Sequence, residues 1–367
     1  MIARYFGAGL AQNPAVFLLQ NTIVRPLRII FALIQKNSVW TKFSNNRNQW
    51  FTVIITCMFG KKKKPRLSVV IAFYNMEREA PRTLYTLSTA YQHGIDETDY
   101  EVIAVDCGSD TPLDEAMVRS FGKQFRLIRM PPNPSPASSI NKAALSSKGE
   151  LITICIDGAR MLSPGILGLT LAAFRAFHTP VVATLSMHLG PGIQRITIPK
   201  GYSREKEDSL LENINWRSDG YNLFRISSVA GSSKNGWFRP LDESGCLTVR
   251  REIFTRLGGY DEKFLSAGGG LVNLDYYKRA LEICSNNIVL LGESTFHQIH
   301  GGTVTNAAAD ANIVIPFLEE YKGIRNKHFS PPERQPVLFG GLSPHVSEVL
   351  LKSAEIFGQN YNFTEGV

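Results

Sequence analysis

From Leu67 onward the chain alternates between short apolar runs and amphipathic stretches. Leu67–Phe73 (LSVVIAF) is continuously apolar and rich in β-branched residues, as expected of a strand covered on both faces. A helix is expected from about Pro81 to His93. Buried strands follow at Glu101–Asp106 (EVIAVD) and Phe125–Met130, then a short helix at Ser139–Ser147 and a fourth strand at Leu151–Ile156 (LITICI). Ser163 has the character of an N-cap with Pro164 at the first helical position, opening a helix to about Phe177. Val181–Leu185 and Asn287–Leu291 read as further strands. Strands alternating with helices at this spacing predict βαβ units and a mostly parallel sheet, an α/β fold. Phe317–Tyr321 and Val346–Phe357 read as two helices beyond this core. They are joined by a Pro-rich stretch around Pro331–Pro336 and are expected to pack back on it.

The segment before Leu67 reads differently. Ala15–Gln35 is apolar but broken by Asn21, Arg25, Pro26 and Arg28, and Phe51–Gly60 is short. Crossing a bilayer takes about 20 mostly apolar residues, so neither run is a good span. Met1–Met76 contains no Asp or Glu and 11 Lys or Arg. Taking those 11 from the 40 basic residues leaves 29 against 32 acidic ones, so the net charge of +8 belongs to the N-terminal segment. An acid-free apolar stretch ending in Lys61–Lys64 suits a peripheral contact with an anionic membrane surface. The plainer alternative is an extra helical layer on the core. A nucleic-acid role would place basic and aromatic residues on the folded body, which is not seen. The five cysteines stand at no metal or redox spacing and read as small buried hydrophobes of a reducing, cytoplasmic compartment.

Ligands of an open parallel sheet bind outside the carboxyl ends of its strands. Behind the first strand stand Phe73, Tyr74 and Asn75; behind the second, Asp106-Cys107-Gly108-Ser109-Asp110; behind the fourth, Asp157-Gly158-Ala159-Arg160. Two acidic strand ends on neighbouring strands suit a nucleotide, one carboxylate for base or ribose and the other for a divalent cation on the diphosphate. Neither GxGxxG behind the first strand nor GxxxxGK[ST] anywhere is present, which removes the main support for dinucleotide and P-loop readings.

These stretches, together with Asn141-Lys142-Ala143, ICIDGARMLSPG at Ile154–Gly165 and CLTVRREIFTRLGGYDEKF at Cys246–Phe264, resemble family 2 glycosyltransferases of the GT-A fold. DGA in place of the family's DxD, with GGGLVNLD and FHQIHGG, is similar to a bacterial subgroup. The resemblance implies a GT-A domain over residues 67–305, between an N-terminal extension (1–66) and a helical C-terminal one (306–367). It also implies inverting transfer of a sugar from a nucleoside-diphosphate donor, with Mn²⁺ or Mg²⁺, to a glycan, lipid-linked or peptide-linked acceptor. A non-catalytic sugar-nucleotide-binding scaffold is the other reading, because acidic positions of the family are lost.

Residue by residue, the resemblance implies that Phe73, Tyr74, Asn75, Asp106, Ser109 and Asn141 hold the nucleotide. Asp157, Gly158, Arg160 and His300 follow on its diphosphate side, and Asp157 falls on the first aspartate of the metal motif. Ala159 stands where the second would be, so His297 is expected to complete the metal site. Residues three apart in an extended segment point to opposite faces, so His297 and His300 are not expected on one ion. The family's Glu-Asp pair after GGxDE is replaced by Gly270 and Leu271, which leaves Glu243, Asp275 and Asp242 as candidates for catalytic base. The segment Leu189–Trp216, with Gln194, Tyr202, Glu207 and Asp208, lies where acceptor-binding elements are expected.

Overall fold

The structure is a computed structural model that describes residues 64–302 and 311–358; the membrane-surface reading of residues 1–66, save the last three, and Cys57 lie outside them. In chain order the elements begin with β1 (Leu67–Phe73), α1 (Ala80–Thr86), β2 (Tyr100–Asp106), α2 (Glu115–Ser120), β3 (Phe125–Arg129) and α3 (Ala137–Ser146). Next come β4 (Leu151–Cys155), β5 (Arg160–Leu162), α4 (Ile166–Ala176), β6 (Pro180–Leu189), α5 (Gln194–Thr197), α6 (Arg204–Glu212), β7 (Ser227–Val229) and β8 (Leu247–Arg250). The last are α7 (Arg251–Leu257), α8 (Val272–Ile283), β9 (Asn286–His297), α9 (Ile315–Arg325), β10 (Val337–Gly340) and α10 (Ser347–Gly358).

One sheet of ten strands runs in the order β10-β9-β6-β8-β4-β1-β2-β3, with β5 added beside β9 and β7 beside β6. β1 pairs in parallel with β2 and β4, and β6 with β9. β8 lies antiparallel between β4 and β6. The sheet therefore has the α/β character expected, with one correction: Asp106 and Asp157 follow strands that flank β1 and do not neighbour each other.

Alternation along β1 explains its unbroken apolar sequence. Val70 and Ala72 enter the core under α3, α7, α8 and the two C-terminal helices, while Leu67, Val69, Ile71 and Phe73 enter the core under α1, α2 and α4. Two helix boundaries depart from expectation. α1 stops at Thr86, whose carbonyl accepts from Gln92 Nε2 (2.8 Å) and whose hydroxyl accepts from the Leu162 N–H (3.0 Å). α4 starts at Ile166 because the Ser163 hydroxyl is turned to the buried Glu293, which also accepts from the Gly165 N–H at 3.1 Å. A carboxylate from β9 thus replaces the serine cap, the sign that a helix N-terminus favours.

The two C-terminal helices pack back as expected. Phe317, Tyr321, Val346 and Val349 join the α3/α8 core. A buried ion cluster reinforces the join: Arg325 donates Nε to Asp275 Oδ1 and Nη2 to Asp275 Oδ2, both at 2.6 Å, and Nη1 to Asp261 at 2.7 Å. Arg279 adds a bond to Asp275 Oδ2 at 2.7 Å. Asp275, 1% exposed, is thus held between two guanidinium groups as the tie between α8 and α9. Removing one partner of such a buried set strands the others. Asp275→Ala is expected to lower stability by about 3–5 kcal/mol, read by urea denaturation.

Candidate functional site

The site lies at the carboxyl ends of β1, β2 and β4, closed by the end of β9. Asn75 sits at φ 52°, in the left-handed region that Asn tolerates better than most residues. It ties the first two loops together. Its N–H donates to Ser109 Oγ (3.0 Å), its Nδ2 donates to Asp110 (2.8 Å), and its Oδ1 accepts from the Asp110 N–H (2.8 Å). Asp106 shapes the same loop: Oδ1 accepts from the Gly108 and Ser109 N–H groups (3.1 and 2.8 Å), and Oδ2 from Leu113 N–H (2.7 Å). The carboxylate is 1% exposed, so its visible work is to hold the loop open. Tyr74, 51% exposed, is the open side chain of this group. Asn141 lies farther off, bonded to Tyr260 O, Tyr260 N–H and Glu262 Oε1, each at 2.9 Å, where it joins α3 to the loop before α8.

Behind β4 the chain turns sharply. Gly158 lies against the Phe73 ring, and a Cβ there would stand 2.2 Å from Phe73 Cδ1, so no side chain fits. Ala159 is fully buried in the apolar core with Phe73, Leu84 and Leu162. The position of the missing aspartate therefore faces the core and not the site. Asp157 Oδ1 accepts from the Ala159 N–H (2.9 Å), which leaves Oδ2 pointing outward. That oxygen lies 2.8 Å from His297 Nε2, 3.7 Å from His300 Nε2 and 3.6 Å from Arg160 Nε.

His297 and His300 meet, contrary to the opposite-face expectation: their Nε2 atoms are 3.2 Å apart. β9 ends at His297, and the next residues are bent into a turn whose backbone is pinned. The Gln298 N–H donates to Ala159 O (2.8 Å), Glu207 Oε2 accepts from the Ile299 N–H (2.8 Å), and Arg78 Nη1 donates to Ile299 O (3.1 Å). Arg78 also bonds Glu207 and Asp208, and Arg82 bonds Asp208, so α1 and α6 clamp the turn together. Period-2 reasoning fails here because the segment is no longer a strand.

The protonation state follows from the contacts. Burial pushes the His297 imidazole down to about 3, so it is neutral near pH 7. Burial opposes ionisation of Asp157, but the surrounding His300, His297 and Arg160 outweigh it and hold the carboxyl well below its usual range. Gln194, 0% exposed, points its Nε2 at two carbonyls, His297 O (2.9 Å) and Leu189 O (3.4 Å). Its Oε1 therefore faces His297 Nδ1 (2.6 Å) as an acceptor. An amide oxygen against Nδ1 favours the tautomer that leaves the Nε2 lone pair free for a cation. Such a convergence of lone pairs fits a divalent cation; Asp157, His297 and His300 form a group whose ligand atoms all lie within 4.8 Å of one another.

Cationic and donor groups complete the site. In register, β5 and β6 flank β9 so that Arg160 and His188 stand on either side of His297. Arg160 Nε and Nη1 are buried without a hydrogen-bond partner, which suits an incoming anion, whereas burial and the neighbouring Arg160 push the His188 imidazole down to about 4 and leave it neutral. Gly245 gives Arg160 its room: a Cβ there would stand 2.9 Å from Arg160 Cδ. Two residues earlier, the half-buried Glu243 accepts from Asn273 Nδ2 at 2.6 Å, and Tyr260 donates to Asn273 Oδ1 at 2.6 Å. Asp242 turns away to Lys234 at 3.7 Å. His188 could have been noticed as a polar residue ending an apolar run. Gln194 and Glu207 were singled out only as part of the segment expected near the acceptor, and Asn273 gave no signal, since each bonds a group remote in sequence.

Residues 68–230 match the family model described as glycosyl transferase family 2. The matched stretch runs from β1 to the end of β7, less than half of the chain, within a mostly parallel α/β sheet flanked by helices. No curated protein matches the sequence. Among solved structures, S. aureus TarS 1–349 is 16% identical over 71% of this chain and 73% of that one, with a TM-score of 0.44. The same protein in complex with UDP-GlcNAc gives 16%, 81%, 73% and 0.44. Mannosyltransferase PcManGT from Pyrobaculum calidifontis, in complex with GDP-Man and Mn²⁺, gives 16%, 80%, 70% and 0.42. Among the described residues, no helix is long and apolar enough to cross a membrane.

Restoring a DxD sequence should not restore a DxD site. Ala159→Asp is expected to cost at least about 3 kcal/mol by burying an unpaired carboxylate. It should leave affinity for Mn²⁺ no higher than before, measured by urea denaturation alongside metal titration.

Proposed function

We propose that the protein is an inverting glycosyltransferase that takes a sugar from a nucleoside-diphosphate donor, UDP by the bias of its resemblance. The hydroxyl acceptor would belong to a glycan, a lipid-linked or a peptide-linked molecule. The observation that carries the reading is the convergence of Asp157, His297 and His300 beside the Arg160 guanidinium, whose Nε and Nη1 make no hydrogen bond. A divalent cation held by those three residues would supply positive charge to the leaving diphosphate. Two imidazoles favour Mn²⁺ over Mg²⁺, which prefers an all-oxygen shell. Arg160 offers two unused N–H groups to the phosphate oxygens, a charge-assisted contact fixed before the substrate arrives. Tyr74 and the Asn75–Asp110 loop pair lie toward the nucleoside, where Asp106 shapes the loop and has one lone pair on Oδ2 unused by the backbone.

Glu243 is our choice of catalytic base. Asp275 has both oxygens engaged by Arg279 and Arg325, and Asp242 is turned to Lys234. Glu243 lies in the loop that touches Arg160 and is aimed by Asn273. In the step, the acceptor oxygen forms a bond to the anomeric carbon as its proton passes to Glu243. The bond from that carbon to the β-phosphate oxygen breaks, and its electron pair leaves on the diphosphate.

Two outcomes test this reading. Asp157→Ala is expected to abolish Mn²⁺-dependent binding of UDP in a calorimetric titration; equal affinity with and without metal in the parent would sink the cation assignment. Glu243→Gln should keep that binding and lower turnover by about 10²–10⁴-fold, measured across a panel of nucleotide sugars. Silence of the parent over the whole panel with binding intact would favour a scaffold.

A further inference from the structure

We infer that Gln194 is a positioning residue for the cation site, selecting the His297 tautomer that can bind metal; this rests on the reading of Asp157, His297 and His300 as ligands. Gln194 opens α5, in a segment with no chemistry of its own, and reaches across 103 residues of sequence to His297. A histidine offers a metal one nitrogen, and which one is decided by the bond the other makes. Three contacts fix the amide. Its Nε2 hydrogens go to His297 O at 2.9 Å and Leu189 O at 3.4 Å, so Oε1 is left to accept from Nδ1–H at 2.6 Å. Gln194 is 0% exposed, so no water competes for that acceptor. Because the same side chain holds both the carbonyl and the ring of His297, backbone and imidazole are set as one unit. Glu207, from the same stretch between β6 and β7, does the corresponding backbone work two residues on, by accepting from Ile299 N–H at 2.8 Å. The stretch between β6 and β7 thus underpins the cation site, a role distinct from acceptor contact.

A purely structural Gln194 and a tautomer-selecting one make opposite predictions for glutamate. Gln194→Glu keeps the acceptor facing Nδ1–H and loses both donations to backbone carbonyls, whereas Gln194→Met loses all three bonds. The full chain is titrated with MnCl₂ alone, free Mn²⁺ being followed by electron paramagnetic resonance. Gln194→Met is expected to weaken binding about 10–100-fold, the usual effect of losing such a partner. Gln194→Glu should bind at least as tightly as the parent. Equal weakening in both variants, or none in the methionine variant, overturns the inference. Nitrogen-15 histidine spectra of the metal-free parent need no variant to fold: His297 should show a protonated Nδ1 and a bare Nε2, and the opposite tautomer refutes the proposal. A parent chain that binds no Mn²⁺ would overturn the cation reading and this inference together. Parent binding with an unaffected methionine variant would overturn only the latter.

Discussion

The contact between Asp157 Oδ2 and His297 Nε2, 2.8 Å apart, is the one around which the site is built. The fold enforces their approach from several sides. Asp157 is anchored by the Ala159 N–H, and Ala159 in turn is packed into the apolar core and accepts from Gln298 N–H. One short turn therefore sets the carboxylate and receives the strand that carries the imidazole. β5 then pairs antiparallel with β9, Arg160 against His297, so that the two segments cannot slide apart. Much of the surrounding architecture serves to fix this approach of Asp157 to His297.

Side-chain amides recur as the means of aiming other groups. The buried Gln194 grips His297 and the buried Asn273 grips Glu243, while the exposed Asn75 grips the Asp110 loop. An amide offers both a donor and an acceptor without bringing a charge that would need its own compensation in a low-dielectric interior. In the two buried cases a backbone carbonyl or a tyrosine hydroxyl decides which end of the amide faces which partner. For Asn273 these are Ser244 O and the Tyr260 hydroxyl. Rigid support of this kind suits a site whose electrostatics must be in place before a diphosphate arrives.

The sheet was legible because burial on both faces leaves a mark that side-chain chemistry alone carries. β1, β2 and β4 show it as unbroken apolar runs, and their ends led directly to Asn75, Asp106 and Asp157. Short elements such as β5 and β7, three residues each, leave no period to detect. The site was legible only in part. His297 was visible as a histidine after a strand, but its convergence with His300 depends on Glu207 and Arg78 pinning Ile299, contacts made across 92 and 221 residues of sequence. Asp275 looked like a catalytic base because it is a carboxylate just after the glycine-rich stretch Gly268–Gly270. Its meaning lay in Arg325, 50 residues away. Sequence periodicity reports which way a side chain faces, and it does not report what has already claimed its lone pairs.

Ala159 brings these threads together. In a turn where the following strand must return to the sheet, residue 159 points into the core beneath β1, and only a small apolar side chain satisfies both Gly158's contact with Phe73 and the packing around Leu162. A second carboxylate cannot be supplied from that position, so the ligands beyond Asp157 have to come from another element. β9 is the strand that reaches this level, through its pairing with β5 and β6, and its terminal turn presents two imidazoles. Arg160, adjacent to Ala159 in sequence, lies 3.6 Å from the Asp157 carboxylate with Nε and Nη1 making no hydrogen bond, and its register partner on β9 is His297. The burial of Ala159, the outward carboxylate of Asp157, the arginine beside it and the meeting of His297 with His300 therefore follow together from one turn and the strand that pairs with it.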